Sequence, residues 1–447
     1  MFTKENMKKI VIIAIVIFAV LQLNPFRIYN NDRTEEQTYA KSPQTFSMDS
    51  ESYVLGSLIE GRQYSFVSGL GRLARPQVTE KTEDWFHNVQ MSYKMFNEDW
   101  FYDGQFEHYF SQLGAQGLLF RIMDVALGSM SGVDKLVIMQ TFNLIILSIV
   151  LSIIGFYLWK RFNLWVTVFF LIGTLINQWI PLSSINLYWV TWTMFLPMAI
   201  AAVYCLKDNS SKKRKIIYMS LLTLAVIYRC ACGFEFISTI LIAMMIPFIE
   251  YEVTHFSSIR KSIKNLLIPT ICGISGFIIC ALLQFTRYLL DGWGFQEALK
   301  IFTTIVVKRT YGNLNTLGVY NEELESNLKE PIFDVIINYF NTSAFNIPIG
   351  NTYFEMKYWM IILVIVIAII ALIYNYKKTK DIKSLSIVII TFISFLAPLS
   401  WFVLAKGHAA AHYHLDPLLW QIPFTGIGLG LIGYFTSVIF YNKKREG

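Results

Sequence analysis

Long apolar blocks separated by short basic turns make up most of this chain, and two longer polar stretches interrupt them. A bilayer core of ~30 Å takes roughly 20 helical residues to cross. Ten blocks reach or approach that length: residues 9–23, 136–159, 164–180, 189–206, 216–228, 236–248, 266–288, 358–374, 385–404 and 418–441. The 216–228 and 236–248 blocks are short, so that pair reads either as two spans or as a re-entrant pair around Arg229 to Glu235. The first block, with Lys8 and Lys9 ahead of it, has the form of a signal-peptide core. No small-x-small cleavage site follows it at Leu23-Asn24-Pro25-Phe26, so it reads as a retained anchor.

Charge orders these blocks. With Lys4, Lys8 and Lys9 in the cytoplasm, the later turns on that side carry Lys160 and Arg161, Lys207 with the run 212–215, then Arg260, Lys261 and Lys264. Lys377, Lys378, Lys380 and Lys383 follow on the same side, and then Lys443, Lys444 and Arg445. The short turns on the other side hold only Arg229 and Lys406, which is the bias expected of a multi-pass protein of the cytoplasmic (inner) membrane with both termini inside. The polar stretches 26–135 and 289–357 then lie outside the cytoplasm. The expected fold is an all-α polytopic membrane protein: one membrane domain over 1–447, about ten transmembrane helices, and an extracytoplasmic cap of surface helices. Within the first outer loop, Val54, Leu55, Leu58 and Ile59, and later Leu118, Leu119, Ile122 and Met123, recur at helical spacing, as amphipathic surface helices require.

Composition agrees, with 54% hydrophobic residues, 15% charged and 35 Phe against 12 Pro in 447 residues; a soluble domain carries more charge. The net charge of +7 is used up on the basic turns rather than gathered into a groove, so nucleic acid is discounted as a partner. All five cysteines fall in or beside apolar blocks, which excludes a disulfide framework in the outer loops. Cys230 and Cys232 suit neither a redox CxxC nor a zinc site and read as small apolar fillers. There is no Walker loop, no GxGxxG ahead of a helix and no zinc-type cysteine array.

Two constellations outside the cytoplasm could carry chemistry. Asp49 and Glu51, in Met48-Asp49-Ser50-Glu51-Ser52-Tyr53, stand at the start of an apolar helical pattern. They are either a catalytic pair or an acidic N-cap, and a helix N-terminus would weaken such a base by lowering its pKa. Lys406 to Asp416 holds Lys406, His408, His412 and Asp416, with the two His four apart on one helical face. These residues suit binding of a lipid phosphate, a divalent metal on His408, His412 and Asp416, or simply two polar helix ends. No other motif asks for a cofactor. Arg229 and Glu235 either pair with each other or face a wet cavity, because charges at membrane depth are costly otherwise. Arg287, Lys308 and Arg309 are further phosphate candidates against a snorkelling alternative. Gln112 and Gln116, in Tyr109 to Gly117, either hydrogen-bond a sugar or form a packed turn. His87 and His108 are isolated.

One N-terminal helix, a long outer loop with an early acidic motif, then closely spaced spans together resemble the GT-C class of integral-membrane glycosyltransferases, which includes the protein O-mannosyltransferases and the lipid A aminoarabinose transferases. The likeness covers the topology of the whole chain but only short motifs in detail. It implies that a carboxylate of the Asp49/Glu51 motif is the catalytic base, although Ser50 separates acids that many members carry side by side. It implies a polyprenyl-phosphate-linked sugar as donor, a glycan or lipid as acceptor, and membrane lipids as surroundings. Lys406, His408, His412, Arg287 and Arg229 would then bind phosphate, and Gln112, Gln116 and Glu235 substrate. A transporter or flippase of a lipid-linked saccharide, or a polysaccharide polymerase, is the alternative.

Overall fold

The structure, a computed structural model, describes residues 3–23, 43–78, 85–207, 211–312, 322–349 and 352–446. Helix α1 (Lys4–Leu23) is followed by a long connection containing α2 (Pro43–Gln63), α3 (Trp85–Asn97) and α4 (Ala115–Ala126), with β1 (Ala74–Pro76) pairing antiparallel to β2 (Phe106–His108). Then come α5 (Gly132–Arg161), α6 (Leu164–Leu175), α7 (Trp179–Ser184), α8 (Trp192–Cys205), α9 (Lys212–Cys232), α10 (Ile237–Thr254) and α11 (Ile259–Leu290). The second long connection holds α12 (Phe295–Arg309), α13 (Glu322–Lys329), α14 (Ile332–Asn341) and the hairpin of β3 (Ser343–Ile349) with β4 (Thr352–Lys357). The chain closes with α15 (Tyr358–Thr379), α16 (Ile382–Leu404), the short α17 (Lys406–Ala411), a 3-10 helix at Asp416–Gln421 and α18 (Phe424–Glu446).

The protein is an all-helical, multi-pass membrane protein. Among the described residues, eight helices are long and apolar enough to cross a bilayer, and α6 and α8 are shorter apolar helices. The blocks at 216–228 and 236–248 extend into helices of 21 and 18 residues, each long and apolar enough to cross. The irregular passage lies elsewhere. At 1.5 Å per residue α6 rises only ~18 Å and α8 ~21 Å, well short of a bilayer core, and residues 176–191 between them are buried and largely non-helical. Two asparagines make this tolerable. Asn177 donates to the carbonyls of Gly173 (3.2 Å) and Thr174 (2.5 Å) and accepts from the amides of Trp179 (2.8 Å) and Ile180 (2.9 Å). Asn186 accepts from the amides of Tyr188 (2.8 Å) and Trp189 (3.1 Å). Backbone groups freed by a broken helix must be satisfied inside the protein, and these side chains do so.

The two ends of the bundle differ in charge. At one end Lys9 lies 5.1 Å from the centre of the Trp159 ring and Arg161 meets Glu250 at 2.7 Å. Tyr434 donates to Asp381 at 2.6 Å there, and Lys207, Lys215 and Lys261 share one cavity. This lysine-rich end gathers the basic turns; the side chains of Lys443 to Arg445 lie outside the described residues. The opposite end gathers both long connections. Asn186 donates to the Ser47 carbonyl at 2.6 Å, Gln116 to that of Cys232 at 2.8 Å, Gln284 to that of Phe110 at 2.9 Å, and Tyr358 to that of Pro417 at 3.2 Å. The apolar positions Val54, Leu55, Leu58 and Ile59 of α2 are fully buried within this cap.

Candidate functional site

The Asp49/Glu51 motif spans the second and third turns of α2, inside the helix rather than at its N-cap. The two acids have different surroundings. Glu51 is fully buried and accepts from the Tyr93 hydroxyl (2.6 Å), Gln140 Nε2 (3.2 Å) and the Leu187 amide (2.9 Å), tying α2 to α3, α5 and the irregular passage. Asp49 keeps 31% of its side chain exposed and meets Arg75 of β1 at 2.5 Å. Arg75 also donates to the Tyr53 hydroxyl at 3.0 Å and lies 3.6 Å from Glu107. Nothing in the sequence singled out Arg75.

A second group forms where α4, the α9–α10 turn, α12 and α17 converge. Gly114 makes the approach of α4 possible: its φ of 82° is left-handed, its amide donates to the Ala231 carbonyl at 3.0 Å, and a Cβ there would lie 2.9 Å from the Gly71 carbonyl oxygen. This docks Gln112 and Gln116 against the end of α9. Gln116 spans the joint, donating to the carbonyls of Cys232 (2.8 Å) and Tyr188 (3.3 Å). At the centre is Glu235. Its Oε1 accepts from Arg309 at 2.7 Å, and its Oε2 lies 3.9 Å from Arg229. Arg229 in turn donates to the carbonyls of Trp189 (3.2 Å) and Glu235 (3.3 Å) and to Thr193 Oγ1 (3.3 Å).

Phe236, left-handed at φ 69°, turns the chain into α10 and stacks on Trp189 at 5.6 Å, with the His408 ring 6.1 Å away on its edge. His408 Nδ1 bonds Asp416 Oδ2 at 3.0 Å, the same oxygen accepts from Trp401 Nε1 at 3.3 Å, and the His412 ring lies 4.3 Å from that of His408. Tyr109 sits beside the Arg309 guanidinium and packs against Tyr53 (5.3 Å) and Tyr188 (6.3 Å), which links this group to Arg75 and Asp49. Ser47, Trp189 and Leu415 line one small cavity of about 20 Å³, so both motifs share one end of the bundle.

Burial opposes ionisation of Glu235, yet Arg309 and then Arg229 outweigh it and hold its carboxyl below the ordinary range. Burial, with Arg309 next, pushes His408 down to about 3, and burial followed by His408 pushes His412 down to about 3, so both are neutral at physiological pH. Several polar atoms in this group are buried and find no hydrogen-bond partner among the described residues: both ends of the Gln112 amide, Gln116 Oε1, Glu235 Oε2, Arg229 Nε, His412 Nδ1 and Asp416 Oδ1. Such atoms cost roughly 1–3 kcal/mol each when left unsatisfied. Four of the seven are acceptor oxygens, so beside the two guanidinium groups they suit a polar ligand that brings hydroxyl donors.

The remaining candidates sit elsewhere. Lys406 is buried and donates to the carbonyls of Leu328 and, at 2.8 Å, Glu330, so it fastens α13 to α17. Arg287 meets Asp291 at 3.3 Å and donates to the Gly69 carbonyl, beside the Arg72–Asp291 pair. His108 bonds Glu60 at 2.9 Å. Among the described residues no three His, Cys, Asp or Glu side chains converge as metal ligands.

No protein-family model matches the sequence, and no curated protein matches it. Solved structures similar in shape include two from Archaeoglobus fulgidus. One is the oligosaccharyltransferase of Archaeoglobus fulgidus in its apo form, with a TM-score of 0.45 and 10% identity, covering 98% of this chain and 51% of that one. The other is the oligosaccharyltransferase AglB of the same organism in complex with an inhibitory peptide and a dolichol-phosphate, with a TM-score of 0.41 and 10% identity, covering 100% and 52%. The chain spans about half the length of each.

Proposed function

We propose that the protein is a membrane glycosyltransferase that moves a sugar from a polyprenyl-phosphate donor to a glycan or lipid acceptor, at the end of the bundle opposite the lysine-rich turns. That end faces away from the cytoplasm and both termini lie inside, the reading favoured by the charge bias of the turns. The observation carrying the proposal is the buried, unsatisfied polar group around Arg309, Arg229 and Glu235. In this reading the sugar hydroxyls bond to Gln112, His412 and Asp416. The phosphate is held by Arg309 and Arg229, which an anionic ligand would draw partly away from Glu235.

Asp49 is the proposed base. It is the acid of the motif that solvent reaches, whereas the carboxylate of Glu51 is engaged by donors from three segments. Asp49 takes the proton of the attacking acceptor hydroxyl, that oxygen bonds to the anomeric carbon from the face opposite the phosphate, and the carbon–oxygen bond to the polyprenyl phosphate breaks. The test uses purified full-length protein in vesicles carrying polyprenyl-phosphate-linked hexoses and assays release of polyprenyl phosphate. Asp49→Asn is expected to lower the rate by roughly 10²-fold or more. Full activity in the Asp49→Asn/Glu51→Gln double variant rules the mechanism out.

A further inference from the structure

We propose that the cavity at the lysine-rich end, between the facing ends of α8, α9, α10 and α11, binds the phosphate headgroup of an anionic membrane lipid. Its volume of about 340 Å³ suits a small headgroup. Lys207, Lys215 and Lys261 reach it from three separate segments, and among the described residues none of the three forms an ion pair. Glu252, the carboxylate on its wall, is engaged by Asn265 Nδ2 at 2.8 Å instead of by a lysine. Three ammonium groups against the one Glu252 carboxylate leave the cavity with an excess of positive charge that favours an anion.

The surroundings favour a lipid over a soluble anion. The inner wall is apolar, built from Met219, Phe248 and Pro269. Ile216 of α9, next to Lys215 on the flank of the lining face, is 56% exposed. An exposed apolar side chain on a spanning helix faces acyl chains, so a headgroup in the cavity has a path for its tail along that flank of α9. Basic pockets between spanning helices are suited to anionic headgroups, with each lysine near the surface adding to the attraction.

Native mass spectrometry of the detergent-solubilised full chain, titrated separately with phosphatidylglycerol, phosphatidylcholine and inorganic phosphate, tests this. The expected result is one tightly held phosphatidylglycerol and no retained phosphatidylcholine. Its affinity should drop about a hundredfold in the Lys207→Gln/Lys215→Gln/Lys261→Gln variant and stay unchanged in a Lys377→Gln/Lys378→Gln/Lys383→Gln variant of another turn at the same end. Met219→Trp, which fills the cavity and leaves its charges in place, should weaken the same lipid. The proposal is overturned by equal losses in the two triple variants, by undiminished binding in Met219→Trp, or by binding of inorganic phosphate without the lipid.

Discussion

Replacing Arg309 by Met tests whether the α12 cation holds the Glu235 carboxylate in place. The pair is 2.7 Å apart, with side chains 11% and 4% exposed, so water contributes little to either charge. Removing one partner of a buried ion pair costs about 3–5 kcal/mol, mostly because the remaining charge is stranded. Arg229 still lies 3.9 Å from Glu235 and donates to its carbonyl, which points to the lower end, about 3 kcal/mol. Adding Glu235→Gln should recover most of that loss, because the stranded charge goes with it.

The assay is unfolding in mixed detergent micelles at neutral pH for wild type, both single variants and the double variant, read as a thermodynamic cycle. Since the folded pKa of Glu235 is depressed, its contribution is complete above the ordinary carboxylate pKa and disappears as pH falls through the lower, folded value. The loss in the single variants should therefore shrink in strong acid. Arg309→Met costing under about 1 kcal/mol, or a double variant whose loss equals the sum of the singles, would refute the reasoning.

Glu51→Leu should lower stability by about 2 kcal/mol or more, since Leu187 N–H, Tyr93 O–H and Gln140 lose their acceptor; Asp49→Asn should lower transfer far more than stability, and calorimetry beside the vesicle assay separates the two. Gly233→Ala would place a methyl group 2.1 Å from Glu235 Oε2 and 2.6 Å from Gln112 Oε1, so transfer should fall at least about tenfold with the fold retained; unchanged turnover counts against this being the sugar site. Because His408 and His412 resist protonation down to about 3, stability should decline as pH drops below their ordinary value near 6.5, where the unfolded chain takes up protons the folded one refuses. Asp416, which burial raises to about 8, acts in the opposite direction over the same range, so the histidine share is read as the difference between wild type and His408→Gln in unfolding at pH 7 and pH 5; the same pH dependence in both excludes a neutral buried His408.

The helix count and the separation of charge were legible because each answers to solvent one residue at a time. A lysine in a turn or a leucine facing lipid needs no particular neighbour to be where it is. The acidic motif could be located from sequence as well, and so could the cluster from Lys406 to Asp416. The division of labour inside each was not legible. Asp49 and Glu51 are two residues apart, yet one is held by donors from three distant segments and the other meets a strand arginine that no pattern marks. Lys406 stands out in sequence as a cation, but only the fold shows that the carbonyls of Leu328 and Glu330 take two of its three N–H donors. Arg309, one of several basic residues in a long loop, becomes central only because α12 carries it to Glu235.

The extent of the broken passage belongs to the tertiary structure too: the apolar blocks end at 180 and resume at 189, whereas α6 ends at Leu175 and α8 begins at Trp192, with Asn177 and Asn186 satisfying the freed amides. Solvent preference is a property of a residue and can be read in order along the chain. Hydrogen-bond and charge pairing are properties of two groups within about 3 Å, and only the folded chain fixes which groups those are.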